Sequence, residues 1–339
     1  MKKVRFGVLS TAGIAQTVLI PALKRSLNAE VTAIASSSGL EKAHAVASEH
    51  DIAKVYDGYE KVLDDPDIDA VYIPLPNHLH KQWVIEAAKK GKHILCEKPA
   101  ALNEAEVWEM KQACEAHQVL FMEAFMYQFH PQHDRVRELI DTGFIGEVRY
   151  MQGGFTFLMP EEDKAHNIRM SREKGGGSLY DVGCYPIHAV RSILREEPIK
   201  VSAQATVDPT YQVDTDMVAH LTFANGVRAT IDASFSLAMR HEYRVFGTEG
   251  SITVPRAYRP DINGGEGLII IEKAGSYQVE TIQGDIYRSQ VEHFADAILQ
   301  GRSHNELKQT FTDTIQTVRL IDACYESIQT KKAVNLKND

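Results

Sequence analysis

The chain has 339 residues, of which 44% are hydrophobic and 24% charged, and these ordinary fractions exclude disordered, collagen-like and membrane-embedded classes. At roughly 150 residues per domain, the length predicts two domains. The 37 Lys and Arg against 46 Asp and Glu leave a net charge of −9, and no basic run exceeds two residues. We therefore expect no nucleic-acid partner.

Cysteine usage and hydrophobic run lengths indicate the compartment. The cysteines lie far apart and form no CxxC pair, which predicts reduced thiols rather than a zinc knuckle, a redox motif or a disulfide framework: Cys96, Cys114, Cys184 and Cys324. Polar residues interrupt the apolar stretch near the start, and no run approaches the roughly 18 apolar residues of a membrane span. We predict a cytoplasmic protein with no membrane partner.

The first third alternates strand and helix patterns. Predicted strands are Val4–Leu9, Val31–Ala35, Asp69–Ile73, His93–Cys96 and Val119–Met122, and predicted helices are Ile14–Ser26, Glu41–His50, Leu79–Lys90 and Glu104–His117. Continuously apolar strands in repeated β-α units predict a doubly wound parallel sheet covered on both faces.

The pattern changes after about residue 123. Helices are predicted at Gln132–Thr142, Leu179–Leu194, Val291–Leu299 and Lys308–Ile328, and strands at Lys200–Val207, Met217–Phe223, Val227–Phe235, Glu242–Phe246, Ser251–Val254 and Gly267–Glu272. Consecutive strands separated by Gly-containing turns are typical of an antiparallel sheet. The fold class is therefore α/β, with a C-terminal α+β domain built on a large, mostly antiparallel open sheet.

The first strand-to-helix turn is the place where a dinucleotide pyrophosphate would bind at a helix N-terminus. This turn has Ser10 and Ala12 where a strict GxGxxG has glycines. Both residues are small, so backbone N–H groups can approach a phosphate, and the hydroxyls of Ser10 and Thr11 can donate. A generic tight turn is the alternative interpretation.

The end of the second strand indicates which cofactor is bound. An Asp or Glu there would bind the ribose diol of NAD, but Ser36, Ser37 and Ser38 follow the strand, and the first carboxylate is Glu41. Three hydroxyls and Lys42 favour the 2′-phosphate of NADP. The alternative is that the serines end the strand and cap the next helix.

Two further loops end strands at the same sheet edge. Glu97, Lys98 and Pro99 follow His93–Cys96, and a residue before proline is restricted to extended backbone, which suits a lysine held in one place. A solvated loop lysine is the alternative. Upstream, the prolines at 74 and 76 predict a rigid loop, and Asn77 either binds the nicotinamide ribose or caps the next helix.

A glycine run opens the predicted helix Leu179–Leu194. Gly175, Gly176 and Gly177 permit backbone approaches that other residues bar, and Asp181 and Tyr185 share one helix face at i and i+4. A carboxylate, a phenol and a nearby ammonium can orient a substrate hydroxyl and take its proton as hydride leaves the carbon. Core packing is the alternative role for the tyrosine.

Taken together, these segments resemble the Gfo/Idh/MocA oxidoreductase family over essentially the whole chain. The resemblance rests on the small-residue turn, Pro-Asn-His-Leu-His at 76–80, Glu-Lys-Pro at 97–99, and the glycine run with Asp181 and Tyr185. Tyrosine at 185 resembles the branch with dimeric dihydrodiol dehydrogenases, NADP-dependent xylose dehydrogenases and glucose-fructose oxidoreductase. Gln128 and Ser37 depart from that branch, which often has arginine at both places.

The resemblance implies a Rossmann NAD(P)-binding domain at 1–123 and a substrate-binding and dimerisation domain at 124–339. It implies NADP in preference to NAD, and a homodimer or dimer of dimers. Lys98 would be the catalytic lysine, Tyr185 the proton donor or acceptor, and Asp181 its orienting partner. We expect cofactor contacts from Ser10, Thr11, Ala12, Gly13, Ile14, Ser36, Ser37, Ser38, Lys42, Pro74, Asn77, His80, Glu97 and Lys98, and substrate contacts from Tyr127, Phe155, Arg169 and His188.

The predicted activity is hydride transfer between a nicotinamide and a carbinol carbon of a sugar or vicinal diol. Two alternatives stay open: a cofactor-binding sensor without chemistry, and an enzyme that recycles tightly bound NAD. We predict no metal, because the histidine pairs 78/80 and 130/133 have no acidic partner at ligand spacing.

Overall fold

The computed structural model describes residues 2–37 and 39–336, which form two compact units. One unit takes the chain up to Met126 together with Tyr287–Ile315, and the other takes Tyr127–Ile286 and the described chain from Gln316. The late segment joins the first unit through contacts such as the Phe6 and Phe294 rings, 6.4 Å apart. The functional division predicted at 123/124 stays a prediction.

The first unit is built on a six-stranded parallel sheet with strand order β3-β2-β1-β4-β5-β6. Its strands are β1 Val4–Leu9, β2 Ala29–Ala35, β3 Lys54–Tyr56, β4 Ala70–Ile73, β5 His93–Cys96 and β6 Phe121–Glu123. Every side chain of β4 is buried, which requires cover on both faces of the sheet. The predicted doubly wound parallel sheet is confirmed.

Helices follow the strands of this sheet. They are α1 Ile20–Arg25, preceded by a π-helical turn at Ala15–Leu19, α2 Leu40–Glu49, α3 Tyr59–Asp64, α4 His80–Lys89 and α5 Glu104–Ala116, and α9 Ile286–Gln300 belongs mainly to this unit. The sequence analysis missed β3 and α3. β3 is a half-buried edge strand of three residues, too short to show a hydrophobic period.

The second unit contains a nine-stranded sheet with order β14-β13-β12-β11-β7-β10-β9-β8-β15. Its strands are β7 Val148–Leu158, β8 Pro198–Val207, β9 Asp214–Phe223, β10 Arg228–Ser234, β11 Ser236–Gly247, β12 Gly250–Val254, β13 Glu266–Lys273, β14 Ser276–Gln283 and β15 Val334–Asn335. All neighbours are antiparallel except β7 and β10, which run parallel. The predicted large, mostly antiparallel sheet is confirmed.

Strand β7 lies inside this sheet, yet no strand was predicted there. Its centre carries Gly153 and Gly154, and an interior glycine weakens a strand pattern. A Cβ on Gly153 would lie 3.2 Å from the Pro186 side chain, and a Cβ on Gly154 would lie 2.6 Å from the Asp232 carboxylate. The glycines therefore permit close approach of neighbouring side chains.

The second unit's helices are α6 Pro131–Asp141, α7 Glu161–Lys164 and α8 Cys184–Leu194, which follows a π-helical turn at Leu179–Gly183, and α10 Phe311–Thr330 runs into this unit from Gln316. The four cysteines are buried, and none of them forms a disulfide with another. In residues 2–37 and 39–336, no helix has the length and apolar character to cross a membrane. Nor do three potential metal-ligating side chains cluster anywhere in this part of the chain.

Candidate active site

The turn after β1 is open where a phosphate would approach. The Ser10 hydroxyl oxygen accepts the N–H of Ala12 at 3.0 Å, which closes the turn, and the Gln16 amide donates to the Thr11 carbonyl at 2.7 Å. A Cβ on Gly13 would meet no atom within 4 Å, and the Ile14 side chain is 36% exposed. Since the first N–H groups of a helix lack helical acceptors, this turn fits a dinucleotide pyrophosphate.

The predicted serines at the end of β2 differ in their exposure. Ser36 is buried, whereas Ser37 is exposed and its hydroxyl accepts the O–H of Tyr59 at 3.1 Å; Ser38 lies outside the described residues. Gly39, not a serine, is the N-cap of α2, and it has no side chain with which to cap the helix. Lys42 is exposed on the first turn of α2. A ribose phosphate at the end of β2 would therefore meet the Ser37 hydroxyl and the Lys42 ammonium, and no carboxylate directly follows the strand.

Buried polar groups hold the Glu97–Lys98–Pro99 loop after β5. Tyr72 on β4 donates its O–H to the Glu97 carboxylate at 2.6 Å, and the buried Glu123 carboxylate at the end of β6 accepts the N–H of Ala100 at 2.9 Å. Burial and the Glu97 charge raise the pKa of Tyr72, so it remains a donor. The lysine is half-buried in a fixed loop, as the rigid lysine interpretation requires.

His80 ties this loop to the one after β4. Its ring is fully buried, with Nδ1 2.9 Å from the Pro99 carbonyl oxygen and Nε2 2.8 Å from that of Leu75. Burial lowers the pKa of His80 to about 4, and a neutral ring carries one N–H and so donates to one of the two carbonyls. Both ring nitrogens face protein atoms and link the two loops, and the predicted cofactor contact of His80 stays a prediction.

Asn77 begins a short 3₁₀ turn, Asn77–Leu79, which leads directly into α4. The N-cap of α4 is Leu79, which makes no side-chain capping hydrogen bond, and the capping alternative for Asn77 stays open. Pro74 is buried immediately after β4. The Asn77 side chain is half-buried at the carboxyl edge of the sheet, where its predicted cofactor contact stays a prediction.

In the second unit, a buried carboxylate anchors the glycine run. Asp214 accepts the Ser178 hydroxyl at 2.8 Å, the Leu179 N–H at 2.7 Å and the Tyr325 O–H at 2.8 Å. Burial raises the pKa of Asp214 despite these donors. Gly177 has φ +117°, and a Cβ there would lie 2.2 Å from the Asp214 carboxylate, so only glycine fits.

Asp181 and Tyr185 lie one helical turn apart, as predicted. The Asp181 carboxylate accepts the Nε–H of Arg169 at 2.6 Å, so its direct charged partner is the guanidinium. Tyr185 is 5% exposed, and its ring packs against Phe155 at 5.2 Å and Tyr258 at 5.5 Å. The structure thus brings together Asp181, Tyr185, Phe155 and Arg169 from the predicted set.

Tyr127 and His188 form a buried pair behind Tyr185. The Tyr127 hydroxyl lies 2.6 Å from His188 Nδ1, and the Tyr127 ring is 5.9 Å from that of Tyr185. Tyr127 is 1% exposed and His188 3%. Their predicted substrate contacts stay predictions; their observed contacts are with each other and with the aromatic cluster.

Sequence reasoning missed Tyr72, Glu123 and Asp214, the groups that hold the site's backbone. The apolar run containing Tyr72 gave no sign of its hydroxyl's role. Glu123 offered a signal, because a carboxylate adjoining a buried strand is costly unless it is hydrogen-bonded. Asp214 lies far from the glycine run in sequence, and no local pattern connects them.

Comparisons with known proteins agree with this geometry. A family model described as "Oxidoreductase family, NAD-binding Rossmann fold" matches residues 4–125, and one described as "GFO/IDH/MocA C-terminal domain" matches residues 133–253. The D-xylose 1-dehydrogenase (NADP(+)) 2 of Haloferax volcanii is 39% identical over 332 residues, covering 98% of this chain and 99% of the relative.

Two solved structures share the fold over nearly the whole chain. KijD10, a 3-ketoreductase from Actinomadura kijaniata in complex with NADP and TDP-benzene, superposes with a TM-score of 0.90 at 30% identity, covering 96% and 98% of the two chains. The aldose-aldose oxidoreductase of Caulobacter crescentus, complexed with glycerol, has a TM-score of 0.90 at 25% identity, covering 99% and 100%. The chain therefore belongs to the Gfo/Idh/MocA family of NAD(P)-dependent oxidoreductases.

Proposed function

We propose that this enzyme transfers a hydride between the nicotinamide of NADP and a carbinol carbon of a sugar or vicinal diol. The observation that carries the proposal is the position of Lys98. It follows β5 at the carboxyl edge of the sheet, and the open turn Ser10–Ile14 follows β1 at the same edge, with only β4 between the two strands. Ligands of open parallel sheets bind at this edge.

The chain's own residues handle the proton. When bound, the nicotinamide exchanges the hydride with the substrate carbon. Lys98 holds the substrate oxygen and favours the tyrosinate form of Tyr185 through its charge, and Tyr185 takes the hydroxyl proton in oxidation or returns it in reduction. Asp181 is the orienting partner of Tyr185.

The preference for NADP rests on the end of β2. No carboxylate follows the strand before Glu41, while the Ser37 hydroxyl and the Lys42 ammonium are exposed there. The similar xylose dehydrogenase of Haloferax volcanii carries NADP(+) in its name. The remaining predicted contacts at 10–14, Pro74, Asn77 and Glu97 line the same edge of the sheet.

The test is to mix the pure protein with NADP⁺ or NAD⁺ and a panel of aldoses, inositols and vicinal diols, and to follow nicotinamide absorbance. Reduction of NADP⁺ with one sugar or diol class supports both parts of the proposal. Y185F and K98M should each lower kcat by at least about 10²-fold while the Kd for NADPH changes little. Exposed controls are Y277F and K61M; near-wild-type kcat in Y185F or K98M removes that residue from the mechanism.

The similarity to an aldose-aldose oxidoreductase favours a second candidate, in which the protein retains its cofactor and couples two sugar conversions. Retained cofactor, no net reduction and conversion of a sugar pair would support this candidate. Cofactor binding with no conversion of any kind would instead support a sensor.

We further propose a homodimer or dimer of dimers. Leu158 is 65% exposed at the end of β7, and Leu237 and Met239 are 51% and 58% exposed on β11. Light scattering should give at least twice the chain mass, and L237E with M239E should lower it, whereas L27E, at an exposed leucine of the first unit, should not. A monomeric wild type would contradict this proposal. The cytoplasmic location stays a prediction.

A further inference from the structure

Arg169 is fixed at both its backbone and its side chain. Its N–H donates to the Asn167 side-chain oxygen at 3.1 Å, and its carbonyl accepts the N–H of Gly177 at 2.9 Å. Its Nε–H donates to the Asp181 carboxylate at 2.6 Å, and the guanidinium lies 6.0 Å from the centre of the Phe157 ring. The guanidinium therefore has a defined place beside the helix that carries Tyr185.

The absence of a side chain at Gly176 allows Arg169 to occupy this position beside the helix. A Cβ on Gly176 would lie 2.4 Å from the carbonyl oxygen of Arg169 and 2.7 Å from its carbonyl carbon. Both are backbone atoms that cannot rotate aside as a side chain can. The N–H of Gly176 also donates to the Ser171 carbonyl at 2.9 Å. Any side chain at 176 would force Arg169 away from the helix.

The ion pair between Arg169 and Asp181 affects proton transfer because of the charges around Tyr185. A carboxylate one turn from a phenol opposes loss of the phenol's proton, because two negative charges would then lie close together. Arg169 pairs with that carboxylate, and the charge of Asp181 raises the pKa of Arg169, with a smaller contribution from Tyr185.

Burial favours the neutral form of three titratable groups near Tyr185. Burial raises the pKa of Tyr127 and of Tyr258, and it lowers the pKa of His241, whose ring contacts Phe155 at 5.9 Å. His188 is hydrogen-bonded to Tyr127. Arg169 and Asp181 form an ion pair, and Asp181 lies one helical turn before Tyr185.

We propose that Arg169 is a positioning residue for proton transfer: it fixes the Asp181 carboxylate and offsets its charge, so that Tyr185 can accept the substrate's hydroxyl proton. The inference rests on the proposed function. In oxidation the substrate O–H bond breaks and its proton joins the Tyr185 oxygen, while the carbinol C–H bond yields its hydride to the nicotinamide; reduction reverses both transfers.

The first experiment is the pH dependence of kcat in R169M, R169K and the double variant R169M/D181N. R169M should move the profile to higher pH by about one unit, equivalent to about tenfold in kcat near neutrality, with a smaller change in KM. R169K keeps the charge and should restore most of the profile. R169M/D181N should also restore the position of the profile, because both charges are gone. R172M, at an exposed arginine of the same segment, is the matched control.

A second readout needs no turnover. The near-ultraviolet absorbance of tyrosinate is titrated in each variant and in its Y185F counterpart, and the difference isolates Tyr185. R169M and G176A should both shift this titration to higher pH, with melting temperatures confirming folded protein. An R169M enzyme with a raised KM but an unmoved profile and titration would overturn the proposal and make Arg169 a substrate anchor. A wild type silent on every substrate would contradict the proposed function alone, since the titration still tests Arg169.

Discussion

Two glycines near the cofactor turn have opposite physical roles. Gly7 lies within β1, and a Cβ there would be 2.3 Å from the buried Val62 side chain, so its absence lets α3 pack against the strand. Gly13 lies in the turn, and a Cβ there would meet nothing within 4 Å. The space at Gly13 is therefore available to a ligand, while the space at Gly7 is filled by the protein.

This contrast gives a prediction for G13A and G7A. Gly13 has helical conformation where the turn leads into the helix, and alanine is favoured over glycine in a helix by about 1 kcal/mol. G13A should therefore keep or slightly raise the free energy of unfolding, but it should weaken NADPH binding about tenfold or more. G7A should lose about 1–3 kcal/mol of stability through overpacking, with NADPH affinity less affected. Chemical denaturation and titration calorimetry measure the two quantities. Unchanged NADPH affinity in G13A would contradict the location of the pyrophosphate at this turn.

Single residues were predictable where their neighbours in sequence determine their surroundings. Lys98 follows a strand and precedes a proline. Both its place at the carboxyl edge of the sheet and its fixed loop could therefore be inferred. His80 was predicted as a cofactor contact, but the carbonyls of Leu75 and Pro99 that face its ring come from two separate loops. The sequence predicted Tyr185 as the partner of Asp181. Its ion pair with Arg169 was not predicted, because only the folded chain brings the two residues together.

At the level of elements, hydrophobic periodicity predicted the strands and helices whose apolar residues follow a regular spacing. β1 and β5 have the predicted bounds, α4 is one residue shorter than predicted at each end, and α5 is one residue shorter at its C-terminal end. β7 was missed because its central glycines weaken the strand pattern. They leave room for the side chains of Pro186 and Asp232, which belong to other elements. β14 was missed because its edge position leaves Tyr277 and Val279 exposed, which removes the alternation of buried and polar residues.

The parallel pairing of β7 with β10 shows why strand order was not predictable. Consecutive strands β8, β9 and β10 form an antiparallel meander, as their short turns indicate. β7 then joins the far side of β10, with the glycine run and α8 in the intervening chain. Long-range pairing of this kind depends on packing of the whole unit, which local sequence does not encode.

Stability against acid is a property of the whole molecule. Three histidines of the first unit accept backbone N–H groups: His93 from Leu120 at 2.9 Å, His293 from Lys308 at 3.0 Å and His304 from Phe121 at 3.2 Å. A ring nitrogen accepts only while it is unprotonated. Burial also lowers the pKa of each ring, to about 4 for His93.

The sign of the pH dependence follows from these pKa values. Each folded-state pKa lies below the unfolded value near 6.5, so between these two values the unfolded chain binds protons that the folded chain does not. The free energy of unfolding should therefore decrease as pH falls from about 6.5 to about 4. His93 alone accounts for about 3 kcal/mol, at 1.36 kcal/mol for each unit of its shift.

The variant H93Q isolates this contribution. Its amide oxygen can accept the Leu120 N–H but does not titrate, so the decrease in the free energy of unfolding between pH 7 and pH 4.5 should be about 2–3 kcal/mol smaller than in the wild type. H117Q, at an exposed histidine after α5, should leave the decrease unchanged. Urea denaturation at several pH values measures all three proteins. An H93Q curve parallel to that of the wild type would mean that His93 binds its proton equally in the folded and unfolded chains, which would contradict an acceptor bond to Leu120 that depends on an unprotonated ring.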